Sequence, residues 1–234
     1  MNFKELLLKN FITYYFYKKI KILRNSSKNE HLGEFGEDIF IRRFFKNENS
    51  GFYVDIGCYH PIKGSLTYYL FKEGWKGLNV DLSKISVDLF KTERPNDYNI
   101  NAAITDFDGE TFYYENGAIN QQNSLTLDKD KKKIKIQAYK LETLLNNFSI
   151  SNIDYLNIDV EGSDFKVITS LNFVKFRPKL ISIEQNIYNT EKIIKNECHE
   201  FLIKKNYFLV SKIGVTCIYI DNKYEALIEK IMSI

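Results

Sequence analysis

From residue 51 onward, compact apolar runs alternate with segments whose apolar positions recur at helical spacing. This alternation is typical of a parallel sheet that carries helices on both of its faces. The apolar runs predict strands at residues 52–56, 77–81, 98–104, 111–115, 155–159, 180–184, 207–212 and 216–221. The periodic segments predict helices at residues 65–73, 84–93, 163–171, 190–205 and 224–232. Gly214 separates the last two strands, which predicts an antiparallel hairpin at the C-terminal end.

Residues 116–133 break the alternation, because they are polar and end in the charged run 128–133. An Asp-Gly pair at residues 108 and 109 predicts the turn that leads into the strand before this segment. We expect residues 116–133 to form a solvated loop within the domain rather than a boundary between domains.

The first 30 residues have a pattern of their own. Apolar side chains recur at helical spacing at Phe3, Leu7, Phe11, Tyr14 and Tyr15. Lysines lie between them at Lys4, Lys9 and Lys18. This pattern predicts an amphipathic basic helical segment over residues 1–30, followed by one domain over residues 31–234. Two interpretations stay open for the helix: it packs on the domain or on a second subunit as a homodimer contact, or it makes a peripheral contact with a membrane surface.

The charge distribution separates this segment from the rest of the chain. The net charge of the 234 residues is +3, but residues 1–28 hold seven Lys and Arg against one acidic residue. The remainder therefore carries −3, so it has no electrostatic reason to bind a polyanion, and we expect no nucleic acid partner.

Cysteine spacing and apolar run lengths indicate the compartment. Cys58, Cys198 and Cys217 are widely spaced and odd in number, which favours unpaired thiols in a reducing cytosol. No uncharged apolar run reaches about 18 residues, and lysines interrupt the N-terminal apolar run, so neither a membrane-spanning helix nor a signal peptide is predicted. We expect a cytoplasmic protein, and the membrane interpretation of residues 1–30 would place it at the inner face of the membrane.

Acidic residues follow the first two predicted strands, where ligands bind in an open parallel sheet. Asp55 and Gly57 end the first strand, and Asp81 ends the second, where its carboxylate can accept both hydroxyls of a ribose. The full G-x-G-x-x-G of a dinucleotide site is missing, because only Gly57 is present before Gly64. A nucleoside ligand without a pyrophosphate fits better than NAD, and S-adenosylmethionine is such a ligand.

Five segments, in order over roughly residues 33–186, resemble the FkbM family of methyltransferases. They are Phe52-Tyr-Val-Asp-Ile-Gly-Cys-Tyr-His-Pro61, Gly74-Trp-Lys-Gly-Leu-Asn-Val-Asp81, Ala102-Ala-Ile-Thr-Asp-Phe-Asp-Gly109, Ile153-Asp-Tyr-Leu-Asn-Ile-Asp-Val-Glu-Gly162 and Arg177-Pro-Lys-Leu-Ile-Ser-Ile-Glu184. The upstream segment 35–38 is also similar. The resemblance implies the class I methyltransferase fold, which is Rossmann-like, with a mostly parallel seven-stranded sheet, helices on both faces and the antiparallel C-terminal hairpin predicted above.

The resemblance further implies an O-methyltransferase that uses S-adenosylmethionine to methylate a hydroxyl, often on a sugar or a natural product. We expect a small-molecule acceptor, a nucleotide-activated or surface-glycan sugar such as a capsular polysaccharide precursor in a bacterium. In the cofactor site that this implies, Asp55, Gly57 and Tyr59 form the turn after the first strand, and Asp81 binds the ribose. Ala103 and Asp106 would lie on the adenine side. Glu37, Ser65 and Thr67 would lie near the amino-acid end of the cofactor. Leu66 stands where the family commonly has Asn, which departs from the pattern.

A sugar hydroxyl is a weak acid, so its methylation needs a group that removes the proton. Two solutions stay open. His60 or Glu161 acts as a side-chain base, or Asp159, Glu161 and Glu184, with His60 as a further ligand, hold a divalent cation such as Mg²⁺, Mn²⁺ or Fe²⁺ that lowers the hydroxyl pKa. The plainer interpretation is that Asp159 and Glu161 bind cofactor or substrate directly and that Glu184 pairs with a lysine.

One function from another class competes with the enzyme. A methyltransferase-like fold can serve as an inactive binding module of glycan assembly, although the intact acidic positions argue against it. A Rossmann oxidoreductase is disfavoured by the missing phosphate-loop glycines.

Overall fold

The computed structural model describes residues 11–24, 32–115, 123–126 and 130–232 of the chain. Among these residues, two helices precede the alternating part, α1 over Phe11–Arg24 and α2 over Glu37–Phe44. Residues 1–10 of the predicted N-terminal helix lie outside the described residues, as does the boundary predicted near residue 30. The division of the chain into 1–30 and 31–234 stays a prediction.

Strands and helices then alternate along the chain. In order they are β1 (Phe52–Ile56), α3 (Tyr68–Lys72), β2 (Lys76–Asp81), α4 (Lys84–Glu93), β3 (Tyr98–Asn101), β4 (Ala103–Ile104), β5 (Gly109–Glu115), β6 (Lys132–Tyr139), α5 (Leu141–Asn147), β7 (Tyr155–Ile158), α6 (Asp164–Thr169), β8 (Leu180–Glu184), α7 (Thr190–Ile194), α8 (Glu197–Lys204), β9 (Tyr207–Ile213), β10 (Thr216–Asp221) and α9 (Glu225–Met232). A 3₁₀ turn at Asn222–Tyr224 joins β10 to α9.

Seven of the described strands form the main sheet in the order β3-β2-β1-β7-β8-β10-β9. Strands β1, β2, β3, β7 and β8 run parallel, whereas β10 runs antiparallel to both β8 and β9. The sheet is therefore mostly parallel and mixed with helices, as the sequence predicts for a Rossmann-like methyltransferase. The strands that follow β1 are added on one side of it up to β3, and the chain then crosses to the other side at β7. Ligands are expected at the carboxyl ends of the strands next to this switch point.

A smaller sheet in the order β4-β6-β5 lies beside the main one. Its own apolar cluster consists of Ala103, Tyr113, Ile136 and Ala138. The strand predicted at residues 98–104 is split between the two sheets, because β3 ends at Asn101 and β4 pairs with β6 instead. Neither β6 nor α5 is predicted from the pattern of apolar residues.

Two other predicted elements are corrected by the structure. The helix predicted at residues 190–205 is two helices, α7 and α8, since Asn196 interrupts it and accepts a hydrogen bond from the Cys198 amide as an N-cap. The loop predicted at residues 116–133 ends earlier, because β6 begins at Lys132. Residues 116–122 and 127–129 of that segment lie outside the described residues.

Apolar side chains pack on both faces of the main sheet. One cluster includes Val54, Leu78, Leu156 and Ile181, and the other includes Tyr53, Tyr155 and Trp75. Adjacent positions of β1 thus enter opposite clusters, as expected for a sheet covered on both sides. Among the described residues, no helix has the length and apolar character needed to cross a membrane.

Candidate active site

A pocket opens at the carboxyl ends of β1, β2, β7 and β8, the edge that the sheet order predicts. Backbone and side chains of residues after each of these strands form its walls, among them Glu37, Asp55, Gly57, Tyr59, Ser65, Asp81, Asp159, Glu161 and Glu184. Seven cofactor and catalytic positions expected from the sequence, and the two further acids of the predicted metal group, therefore converge on one pocket.

The turn after β1 depends on Gly57. Its φ of +83° is a backbone conformation that side chains with a Cβ rarely adopt. A Cβ at this position would lie 1.7 Å from the carbonyl oxygen of Asp159, because the Asp159 amide donates to the Ile56 carbonyl and draws the two strand ends together. Glycine is required here by this close approach.

Tyr59 and Asp81 connect the ends of the first two strands. The Tyr59 amide donates to Asp81 Oδ2 at 2.8 Å, and the Ser83 amide donates to Asp81 Oδ1 at 2.7 Å. Burial raises the pKa of Asp81 to about 6, although the two amides lower it. The two amides fix the orientation of the carboxylate, which lines the pocket, and each oxygen keeps further lone-pair capacity.

Asp55 lies under the pocket rather than reaching across it. Its Oδ1 accepts from Asn157 Nδ2 at 2.9 Å and its Oδ2 accepts from Thr67 Oγ1 at 2.7 Å. Burial raises the pKa of Asp55, while these two hydrogen bonds and the nearby Arg94 lower it. Asp55 thus joins β1 to β7 and to the turn before α3, which makes it a positioning residue for the cofactor turn.

Arg94 is a buried residue of this region that sequence reasoning missed. Its side chain is fully buried, and Nη1 donates to Thr67 Oγ1 at 2.8 Å and to the Tyr53 hydroxyl at 3.1 Å. Nη2 donates to Ser65 Oγ at 2.9 Å and to the Pro61 carbonyl. Of these two residues expected near the amino-acid end of the cofactor, Ser65 lines the pocket and Thr67 lies behind it, and the Arg94 guanidinium holds both hydroxyls.

Glu37 closes the pocket from the side of α2. Its Oε2 accepts from the Phe35 amide at 2.9 Å, and its Oε1 accepts from Thr216 Oγ1 at 3.2 Å. The side chain is buried, with an exposed fraction of 2%. An acid in this position offers oxygen acceptors to a cationic amino group, in line with the predicted place beside the amino-acid end of the cofactor.

Three carboxylates stand together at the end of the pocket formed by β7 and β8. One oxygen each from Asp159, Glu161 and Glu184 lies within 4.8 Å of the other two. Asp159 and Glu161 follow β7, and Glu184 ends β8, so the parallel pairing of these strands brings them together. Glu161 adopts a φ of +54°, which is strained for a residue with a side chain and is a feature of functional sites.

Mutual repulsion in this cluster changes its protonation. Desolvation of its carboxyl and the adjacent Glu184, which hydrogen-bonds to it, hold the pKa of Asp159 well above its ordinary value, although the residue as a whole is exposed. Burial and the charges of Glu184 and Asp164 also raise the pKa of Glu161. Carboxylates in this state keep a proton between them or bind a cation, because two like charges at this distance are costly.

The pocket geometry agrees with a comparison of the sequence with known families. Residues 55–207 match the model of the methyltransferase FkbM domain. The chain belongs to this family. It is therefore a methyltransferase-family protein, and proteins of this family generally use S-adenosylmethionine. No curated protein matches the chain.

Within this FkbM domain, His60 lies apart from the three carboxylates. Its ring is buried, and Nδ1 accepts from the amides of Ile62 and Lys63 at 3.1 and 3.0 Å. Burial and the positive charges of Lys21 and Lys63 lower the pKa of His60 to about 4. In the described part of the chain, no histidine nitrogen joins the carboxylate group. This placement argues against His60 as the base or as a metal ligand and makes it a neutral cap of the turn after the cofactor loop.

Three predicted cofactor residues of the FkbM domain do not line the pocket as the structure describes it. Ala103 faces the cluster of the smaller sheet, while its neighbours Ala102 and Ile104 line the pocket instead. The period of two along a strand explains this exchange. Asp106 is exposed and accepts from Thr105 Oγ1 at 2.9 Å, and Thr67 stands behind Ser65.

Proposed function

We propose that this FkbM-family protein transfers the methyl group of S-adenosylmethionine to a hydroxyl oxygen. The observation that carries the proposal is that a single pocket joins the Asp81 carboxylate at one end to the Asp159–Glu161–Glu184 cluster at the other. The first end suits a ribose diol, and the second suits a group that must lose a proton.

The residues present fit S-adenosylmethionine. Asp81 would accept the ribose hydroxyls, Gly57 would allow backbone to lie against the ligand, and Glu37 would receive the amino group. When bound, the cofactor supplies a methyl group that its sulfonium has already activated. The acids at both ends of the pocket also favour a cofactor with a positive charge, such as this sulfonium, over one with a nucleotide phosphate.

For the reaction itself, the protein aligns the acceptor and takes its proton. The acceptor oxygen would form a bond to the methyl carbon as the bond between that carbon and sulfur breaks, and the hydroxyl proton would pass to Glu161 or, where the cluster holds a cation that lowers the hydroxyl pKa, to water. The raised pKa of Glu161 makes it a stronger base than an ordinary carboxylate. A polyhydroxyl acceptor, such as a free or nucleotide-linked sugar, would also find hydrogen-bond acceptors in Asp159 and Glu184.

A divalent cation is part of the proposal. Three carboxylate oxygens in one group are the donor set that Mg²⁺ and Mn²⁺ prefer, whereas the imidazole that favoured Fe²⁺ stands elsewhere. Asp159, Glu161 and Glu184 would hold the cation. Its chemistry would be to bind the acceptor oxygen and lower the hydroxyl pKa.

Mass spectrometry of nucleotide-sugars incubated with the protein and S-adenosylmethionine tests the reaction, with calorimetric binding of the cofactor measured in parallel. We expect one added methyl group per acceptor, lost after chelator treatment and restored by Mg²⁺ or Mn²⁺. Full activity of metal-stripped protein would remove the cation and leave Glu161 as base, which Glu161→Gln then checks. Failure to bind S-adenosylmethionine would overturn the proposal as a whole.

A further inference from the structure

Helix α1 takes no part in the pocket walls, yet its position on the domain is fixed. The Tyr14 hydroxyl donates to Asp88 Oδ2 of α4 at 2.7 Å. Ile22 is buried against Ile62 and Leu89. The main chain of Lys21 hydrogen-bonds to His60, so one face of α1 is committed to the domain.

The opposite face of α1 is apolar and open to solvent. Ile12, Tyr15, Phe16 and Ile20 have exposed fractions of 64, 45, 59 and 51%. Spacings of three and four residues place them in one stripe along the helix. Large apolar side chains grouped in this way mark a contact surface, whereas scattered ones do not.

Positive charge accompanies this stripe. Residues 11–24 include Lys18, Lys19, Lys21 and Arg24 and no acidic residue. The Lys19 amine lies 6.0 Å from the centre of the exposed Tyr15 ring, whereas Lys18 lies on the domain side, 5.1 Å from the Tyr14 ring and near Asp88. A long basic side chain beside an exposed ring is the arrangement that amphipathic helices use at a lipid interface, with apolar groups in the acyl region and amines at the headgroups.

Charge decides between the two occupants that suit an apolar helix face. A second copy of the chain would add a second basic segment without an acidic residue to the same interface, and the like charges would repel each other. Anionic lipid headgroups would neutralise this charge, and each basic residue near such a surface adds to the attraction. We propose that the outer face of α1, formed by Ile12, Tyr15, Phe16, Lys19 and Ile20, binds the surface of a membrane that contains anionic lipids.

Co-sedimentation of the full chain with vesicles tests this proposal without reference to catalysis. Vesicles of phosphatidylcholine with about one third phosphatidylglycerol are compared with phosphatidylcholine alone. We expect binding to the anionic vesicles at least tenfold stronger than to the neutral ones, and weaker in high salt.

Two sets of variants separate the apolar and electrostatic parts. We expect Ile12→Glu with Phe16→Glu to lose binding to anionic vesicles at least tenfold, and Lys19→Ala to lose it severalfold. The matched control is Val174→Glu with Ile194→Glu, which changes two exposed apolar residues elsewhere, at 97 and 60% exposure, and should bind as the unaltered chain does. Unchanged thermal unfolding shows that the variants are folded.

Three results would overturn the proposal. They are no binding of the unaltered chain to anionic vesicles, equal binding by the Ile12→Glu and Phe16→Glu variant, and a dimer in light scattering that this variant abolishes. The last result would assign the face to a second copy of the chain.

Discussion

Asp81 is held by two backbone amides so that its remaining lone pairs face the pocket. We predict that Asp81→Ala weakens the binding of S-adenosylmethionine by about 1–3 kcal/mol, since it leaves the ribose hydroxyls without acceptors. Asp81→Asn should weaken binding less, because its amide oxygen still accepts. Calorimetry on folded variants measures both, and unchanged affinity in Asp81→Ala would remove Asp81 from the cofactor site.

The same residue predicts a pH dependence. Because burial raises the Asp81 pKa to about 6, the carboxyl gains a proton as the pH falls through that value and loses an acceptor for the ribose diol. Cofactor affinity should therefore be full above about pH 7 and fall below about pH 6, by up to about tenfold per pH unit. Asp164 also titrates with a pKa of about 6, so Asp81→Asn is the control. A profile that keeps its acid limb in this variant would assign the limb elsewhere.

At the level of single residues, sequence patterns identified the site residues that follow from strand order and missed those that only tertiary packing brings to the site. Asp55, Asp81 and Glu184 end strands, so alternation alone puts them at the ligand edge. Arg94 follows a helix and carries no such signal, because its partners at Tyr53 and Ser65 are distant in sequence. For His60 and Ala103, the strand ends were predicted correctly, but the direction of each side chain was not.

Gly57 links two elements, and its replacement is a test of that link. We predict that Gly57→Ala reduces cofactor affinity and destabilises the fold by more than the cost of its backbone angle, because the new methyl group meets the Asp159 carbonyl. Gly74→Ala is the matched control, since Gly74 has a φ of +90° and a methyl group added there would have no atom within 4 Å. That change should cost only about 1–2 kcal/mol. Urea unfolding of both variants measures the difference, and equal losses would contradict the close approach.

Strands that a compact apolar run marks were predicted well, whereas strands that depend on pairing with other strands were not. The strands at 52–56 and 180–184 match β1 and β8 in both bounds, because each is a compact and mostly apolar run. The strand β6 carries Lys132, Lys133 and Lys135, so its sequence is typical of a loop. It forms a strand because it pairs with β4 and β5. The split of the helix at residues 190–205 follows from one N-cap, Asn196, in a segment whose apolar face is otherwise continuous.

For the whole molecule, we predict that removal of residues 1–28 lowers stability and leaves cofactor affinity within about twofold. The described pocket walls begin at Glu34, so the cofactor loses no contact. Loss of the Tyr14–Asp88 hydrogen bond and of the buried Ile22 should cost about 2–4 kcal/mol of unfolding free energy. Calorimetry and urea unfolding measure the two quantities, with Ile22→Ala in the full chain as control. A truncated protein that folds but no longer binds the cofactor would show that α1 shapes the pocket.

The sheet order also has an evolutionary consequence. Strand β1 lies at the centre, with β2 and β3 on one side and β7, β8, β10 and β9 on the other. Residues proposed for the cofactor come mainly from the first side, while the carboxylates proposed for the acceptor come from the second. On this division, substitutions around β8 can change the acceptor while methyl donor binding is preserved. Strand β10 is more constrained, because its Thr216 donates to Glu37, which is proposed to receive the cofactor amino group.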